Sequence, residues 1–254
     1  MPRILRLLKK NSLINLNIYL SMLNFITKIS LNMSTISKEN YLKLIYTHSI
    51  EGKSAATSKI AERLSISNSA ISDMAKKLAN EGLISYTKYR GMRLTKEGKK
   101  AALKVIRKHR IWEMFLLEVL KIPWSEVHEE AEKLEHYTSD YLIDRIDEFL
   151  GYPELDPHGH PIPRKDGTLP KISKLIPMNS CEIGKIYEIA QVDDTDNRLI
   201  KYLTKIGLVL NTPFEVFDIV SFDKSMIIKF SGKTVTVSEK IAKNVMVRFI
   251  KKTR

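Results

Sequence analysis

Residues 57–95, TSKIAERLSISNSAISDMAKKLANEGLISYTKYRGMRLT, decide the fold. Ile60, Ala61 and Leu64 recur at helical spacing over Thr57–Leu64, and Ala70, Ile71, Met74, Ala75 and Leu78 do so over about 69–80. Ser65-Ile66-Ser67 separates the two helices, and Glu81-Gly82 stops the second. Two short β segments, 83–87 and 92–95, then flank a turn holding Gly91. Helix, short turn, helix and basic hairpin is the pattern of a winged helix-turn-helix. A helix of this size fits the major groove of DNA, where its exposed first turn reaches base edges. That turn offers Ser67, Asn68, Ser69, Ser72 and Asp73, with Lys76 further along. The hairpin carries Lys88, Arg90 and Arg93, suited to phosphates or a minor groove. A solvated polar face on an ordinary three-helix domain is the bland alternative; spacing, hairpin and charge together favour DNA.

Upstream, 38–48 (KENYLKLIYTH) sets Tyr41, Leu44, Ile45 and His48 at helical spacing. The stretch before it, 1–33, is basic and apolar but interrupted by Asn15, Asn17, Ser21, Asn24 and Lys28. A spanning helix needs about 20 mostly apolar residues, so no membrane segment is expected. We read the start at Met33, with 1–33 a non-native or mis-assigned extension; a genuine extension that packs or binds something is the alternative. The 254-residue chain carries 42 Lys+Arg against 29 Asp+Glu, a net charge of +13 that suits a polyanionic partner. The charge is unevenly spread: 34–110 is strongly basic, whereas 111–156 holds three basic and thirteen acidic residues. The single cysteine, Cys181, excludes a disulfide framework and any zinc site built from several thiolates.

The acidic segment also contains histidine. A long helix is expected from Lys96 to about Leu120, then further helices over about 125–137 and 139–150. At about 100° per residue, His128, Glu132, Glu135 and His136 fall within roughly 100° of arc on one helix face. His109 and Glu113 are i,i+4 neighbours on the preceding helix. Packed carboxylates repel, and a divalent cation removes that penalty. Imidazole with several carboxylates suits Mn²⁺, Fe²⁺, Co²⁺ or Zn²⁺. An acidic helix face in water is the competing reading. The surplus apolar surface of these helices points to a dimer interface or, alternatively, an intramolecular core. After a Pro/Gly/His stretch, YPELDPHGHPIPRKDGTLP, five short β-type runs and one helix, Asn197–Ile206, suggest a small barrel over 177–254.

KENYLKLIY, the helix-turn-helix, KYRGMRLTKEGKK, RKHRIWEMFL, VHEEAEKLEHYTSD and DPHGHPIP together resemble the diphtheria toxin repressor family of metal-activated repressors, nearest its manganese-regulator branch. The resemblance runs from Met33 to the end. It implies two neighbouring metal positions. The first takes Glu132, Glu135 and His136, with Asn40 from the first helix where this branch usually has Asp. Glu132 stands where the iron-sensing branch has Cys, which favours manganese. The second takes His109, Glu113 and His128, helped by His158 of the DPHG turn and by Asp193 or Asp194 of the barrel. Asp156 matches a position that is Cys in some relatives. His160 and His48 are read as structural or solvent-facing.

The fold expected is mainly α with a small β domain. It comprises a winged helix-turn-helix over 34–96, a helical dimerisation and metal-binding domain over 97–157, a linker over 158–176 and an SH3-like (FeoA-like) barrel over 177–254. The function the resemblance implies is that of a cytoplasmic, homodimeric repressor of metal-uptake genes. It would be activated by Mn²⁺ and bind a palindromic operator in double-stranded DNA. Activation by Fe²⁺ is the alternative, and Co²⁺, Ni²⁺, Cd²⁺ or Zn²⁺ could substitute in vitro. No enzyme is expected. A metalloenzyme is the rival class, weakened by the lack of an evident nucleophile, phosphate loop or HExxH motif.

Overall fold

The computed structural model describes residues 36–49, 54–87 and 91–250. The reading of 1–33, and of Lys88 and Arg90, lies outside these. The chain divides into two compact units, one ending at Ala102 and the other beginning at Leu103.

The first unit holds helix α1 (36–48), α2 (Thr57–Leu64), α3 (Asn68–Asn80), the hairpin strands β1 (Ile84–Thr87) and β2 (Gly91–Leu94), and the first turns of α4 (Lys96–Glu118). Ser65 turns the chain between α2 and α3 in a left-handed conformation (φ 54°), and Ser67 caps α3 by accepting from the Ala70 amide. Ile45, Ile60, Ile71, Leu78, Ile84 and Met92 meet in its core. β1 and β2 pair antiparallel with Tyr86 opposite Met92, and Ala55 bridges to Met92 on the other side. This is the winged helix-turn-helix expected from the pattern.

The unit boundary falls six residues later than the sequence suggests, because the start of α4 packs back on the wing. Thr95 N donates to Leu83 O at 3.0 Å, and Thr95 Oγ1 accepts from Gly98 N at 3.1 Å. A Cβ on Gly98 would lie 1.8 Å from the Leu83 carbonyl oxygen. Gly98→Ala must therefore push α4 off the hairpin. The expected destabilisation is about 3 kcal/mol, read by urea unfolding of the full chain. A variant as stable as wild type would contradict this packing.

The second unit joins the rest of α4 to α5 (Val127–Leu134), α6 (Asp140–Phe149) and a six-stranded antiparallel sheet. Its strands are β3 (Ile176–Pro177), β4 (Ile186–Val192), β5 (Pro213–Ile219), β6 (Met226–Phe230), β7 (Lys233–Val237) and β8 (Val245–Phe249), in the order β3-β8-β4-β5-β6-β7. Helices α7 (Asn197–Ile206) and α8 (Glu239–Lys243) complete it. Register shifts in β4 at Ile189/Gln191 and in β5 at Val216/Asp218 bend the sheet around a core that includes Ile189, Phe214, Val216 and Leu203. Five strands were expected; the sixth, β3, is two residues long and carries Pro177, too short to read from alternation.

Two further expectations are corrected. The acidic helix α5 ends at Leu134 rather than near Tyr137. There the chain tightens, with Tyr137 N donating to Leu134 O at 3.2 Å and Thr138 Oγ1 taking the same carbonyl at 2.6 Å. The expected linker at 158–176 begins only after Pro163. Asp156 to Gly159 are buried, Ile162 packs with Ile111, Ile143 and Ile146, and Leu155 bridges to Pro161. Among the described residues no helix is long and apolar enough to cross a membrane.

Candidate metal centre and nucleic-acid interface

Four segments of the second unit converge. α4 contributes His109 and Glu113 from one face. α5 and the turn after it contribute His128, Glu132, Glu135 and His136. The tight turn 156–160 contributes Asp156, His158 and His160, and the loop after β4 contributes Asp194. Side chains of three groups bring one donor atom each within 4.8 Å of the others: His109, Glu113, His128 and Asp194; Glu113, Asp156 and His158; and His109, Glu132 and Glu135.

The turn is built for this. Asp156 Oδ1 accepts from the amides of His158 (2.8 Å) and His160 (2.9 Å), an arrangement that closes the loop on itself. Gly159 has φ +86°, and a Cβ there would lie 2.1 Å from Ala190 O. That closeness lets Val192 N donate to His158 O at 2.9 Å, so the turn rides on β4 two residues before Asp194. Trp124 stacks on the His158 ring at 5.6 Å and donates its indole N–H to Pro157 O at 2.8 Å.

Glu113 is fully buried among histidines. Its Oε1 lies 3.1 Å from His109 Nε2, 3.2 Å from His128 Nδ1 and 3.5 Å from His158 Nδ1. Burial pushes its pKa up, but His109, His128 and His158 outweigh that and hold the carboxyl well below its usual range. Burial likewise opposes the charged form of His128, yet Asp194 and Glu113 raise its pKa to about 10. His158 is raised in the same way, against burial, by Glu113 and Asp194. Asp194 is held low despite burial, chiefly by His128 and His160. His109 Nδ1 lies 2.6 Å from Glu135 Oε2, and its Nε2 lies 3.1 Å from both Glu113 Oε1 and His128 Nδ1, so the ring bridges the two carboxylates.

Hydrogen bonding does not exhaust this cluster. Glu113 Oε2, Asp156 Oδ2, His160 Nδ1 and both ring nitrogens of His158 are buried without a hydrogen-bond partner among the described residues. Unsatisfied buried donor atoms of mixed imidazole and carboxylate type fit a divalent cation.

The residues that the resemblance assigns to two metal positions fall into neighbouring groups, though not in the assigned division. Glu132 and Glu135 come together as expected, and His136 Nε2 lies 3.3 Å from Glu135 Oε1. His109, assigned by resemblance to the second position, also stands with Glu132 and Glu135. Asn40 is on α1 of the first unit, its Oδ1 buried without a hydrogen-bond partner among the described residues. Of the two barrel aspartates, Asp194 reaches the cluster, 3.5 Å from His128 Nδ1. Asp193 instead accepts from Thr195 N at 2.8 Å and is held by its own amide to Asn244 O. His160 is half-buried, its Nδ1 3.4 Å from Asp156 Oδ2. His48 is exposed, bonded to Leu44 O. Asn197 and Trp124 were not anticipated. Both line a cavity of about 140 Å³ with His128, His158 and Asp194, and nothing in their local sequence marks them.

In the first unit Ser67, Asn68, Ser69, Asp73 and Lys76 are exposed on the first turns of α3, and Ser72 is half-buried. Asp73 pairs with Lys76 at 3.0 Å, and Ser72 Oγ donates to Asn68 O. Arg93, exposed on β2, donates to Ser54 Oγ at 2.9 Å.

Residues 33–92 match the N-terminal DNA-binding domain of iron-dependent repressors, 95–164 their metal-binding and dimerisation domain, and 176–249 the FeoA domain. The iron-dependent repressor IdeR of Mycobacterium bovis is 32% identical over 185 residues, which cover 68% of this chain and 80% of that protein.

The chain belongs to the diphtheria toxin repressor family.

Solved structures agree with this. A manganese-dependent transcriptional repressor in complex with manganese is 34% identical with a TM-score of 0.78, covering 84% of this chain and all of that one. The manganese regulator SloR, also 34% identical, has a TM-score of 0.71 and covers 84% and 98%. The diphtheria toxin repressor family is one of metal-dependent, DNA-binding transcriptional repressors. Its three domain types account for the winged helix-turn-helix, the helical segment and the FeoA sheet described above.

Proposed function

We propose that this chain is a Mn²⁺-activated repressor that binds a palindromic operator as a homodimer in the cytoplasm, and that it catalyses no reaction. The observation that carries the metal reading is the buried cluster of donor atoms on Glu113, Asp156 and His158 that have no hydrogen-bond partner among the described residues. The donor chemistry supports manganese. Glu132 supplies oxygen where a thiolate would favour softer ions, and oxygen-rich sets suit hard cations. Cys181 packs in the core of the FeoA sheet, where burial pushes its thiol pKa up to about 12. Relatives named for manganese support the reading; iron is the alternative, since IdeR is named as iron-dependent.

When bound, a divalent cation supplies the positive charge that lets these carboxylates pack together. Glu132, Glu135, His136 and His109 would hold it at the first position, with Asn40 assigned there by the resemblance alone. Glu113, His128, Asp156, His158 and Asp194 would hold it at the second. For DNA binding to respond, these residues must grip metal more tightly in the DNA-competent state than in the other. Exposed Tyr137, Tyr141, Leu142 and Phe149 support a subunit interface on the helical segment. Ser67, Asn68, Ser69 and Arg93 would meet DNA. The test is a gel shift on DNA upstream of the protein's own gene neighbours, titrated with Mn²⁺, with Fe²⁺ under nitrogen, and with chelator. Binding indifferent to every ion would overturn the proposal.

Metal loading should also release protons. With its pKa raised from 6.5 to about 10, His128 is charged at pH 7 in the metal-free protein, and a ligand imidazole must be neutral. Apparent Mn²⁺ affinity should therefore climb as pH rises from 6.5 to 8.5, with about one proton released by His128. The metal-free protein should behave oppositely. A raised histidine pKa stabilises fully below its unfolded value of 6.5, and that stability fades as pH rises toward about 10. Calorimetry in buffers of different ionisation enthalpy counts the protons; an affinity flat across this range would contradict the assignment.

A further inference from the structure

We propose that His160 is a further donor of the second metal position, reaching the same ion as Asp156 and Asp194. The proposal rests on the metal-binding reading above and adds to it a residue that the resemblance leaves structural.

The placement of His160 is fixed by the backbone. Asp156 N donates to His160 O at 2.9 Å, and Asp156 Oδ1 takes the His160 amide, so both ends of the turn are locked across from each other. The ring Nδ1 that results is buried and, among the described residues, lacks a hydrogen-bond partner. It lies 3.4 Å from Asp156 Oδ2 and 3.9 Å from Asp194 Oδ2. These separations are long for hydrogen bonds. They suit donors sharing one ion: with bonds of about 2.2 Å, octahedral neighbours stand about 3.1 Å apart and opposite donors about 4.4 Å. His158 Nδ1 shows the same spacing, 3.5 Å to Glu113 Oε1 and 3.8 Å to Asp194 Oδ2. Asp194 Oδ2 is thus common to both histidines of the turn.

One neighbour competes. Arg110 Nε is 3.3 Å from Asp156 Oδ2, and Arg110 Nη1 donates to Pro161 O at 2.5 Å. The guanidinium tethers the turn from the α4 side and already balances part of the Asp156 charge. A neutral nitrogen donor at His160 adds ligation without adding to the carboxylate crowding that Arg110 offsets.

The experiment uses the full chain loaded with Mn²⁺. Pulsed EPR counts imidazole nitrogens coupled to the ion, and calorimetry gives stoichiometry and affinity. His160→Gln is compared with wild type and with His158→Gln as the positive control. His160→Asn serves as a second variant, and circular dichroism checks folding of each. The expected result is one coupled nitrogen fewer than wild type and at least a ten-fold weaker second binding step, with the first step unchanged. An unchanged nitrogen count overturns the proposal, even if affinity falls, because His160 would then only position Asp156. If wild type shows no coupled imidazole at all, the metal reading itself fails, a result distinct from loss of coupling in His158→Gln alone.

Discussion

Replacing Glu132 and His136 together with alanine should reduce DNA binding in Mn²⁺ to the level measured with chelator. Loss of a single supporting contact to a metal ligand weakens binding 10- to 100-fold, so loss of two ligands should exceed about 100-fold. The fold should survive. α5 is anchored by Val127 and Ala131, which pack with Leu116, and neither substituted side chain contributes to that cluster. Glu132 is about one-third exposed, so its removal leaves space that water can fill. A gel shift titrated with Mn²⁺, beside the circular dichroism spectrum of the variant, decides the matter. A folded double variant with an unchanged Mn²⁺ midpoint would remove both residues from the metal position.

The second large effect is expected at Gly159. Its φ of +86° is strained for any side chain, and a Cβ would lie 2.1 Å from Ala190 O and 2.9 Å from Gln191 Cα. Both obstacles are backbone, so neither yields by a rotamer change. Gly159→Ala should cost on the order of 4 kcal/mol through strain and overpacking. The damage should not be uniform. The turn must lift from β4 and break the bond from Val192 N to His158 O, moving His158 away from Asp194. Second-step Mn²⁺ binding should vanish even where circular dichroism shows a folded chain. Trp124 fluorescence should change as well, because its stack on His158 is lost. Retention of two-step Mn²⁺ binding would show that the turn is free to shift.

Much of this was legible in the sequence where chemistry is local. The winged helix-turn-helix follows from periodicity and from Ser67, whose capping role needs only its own neighbours. α7 has the expected bounds because Asp196 caps it and Gly207 ends it. His109 and Glu113 were readable as one face because a helix fixes their separation. What was not legible depends on register or on distant pairing. Asp193 and Asp194 could not be distinguished, because the shift at Ile189/Gln191 in β4 defeats counting by alternation. Asn197 bonds to Glu129 across 68 positions, a contact no local pattern encodes. His160 read only as structural or solvent-facing because a Pro/Gly-rich stretch looks like a linker, and the Asx turn at Asp156 is what draws it half-buried against the carboxylates.

The position of β4 between β5 and β8 has a consequence for the order of synthesis. Asp194 lies just after β4, and β4 is flanked by β8, whose residues Val245–Phe249 leave the ribosome after every other strand described. The Asp193 amide, next to Asp194, is tied to Asn244 O at the threshold of that strand. The winged helix-turn-helix has by then long been free to fold. A chain cut short before β8 would therefore carry a folded winged helix-turn-helix but lack the strand that supports β4 beside Asp194, so the proposed second metal position can form only once β8 has been made.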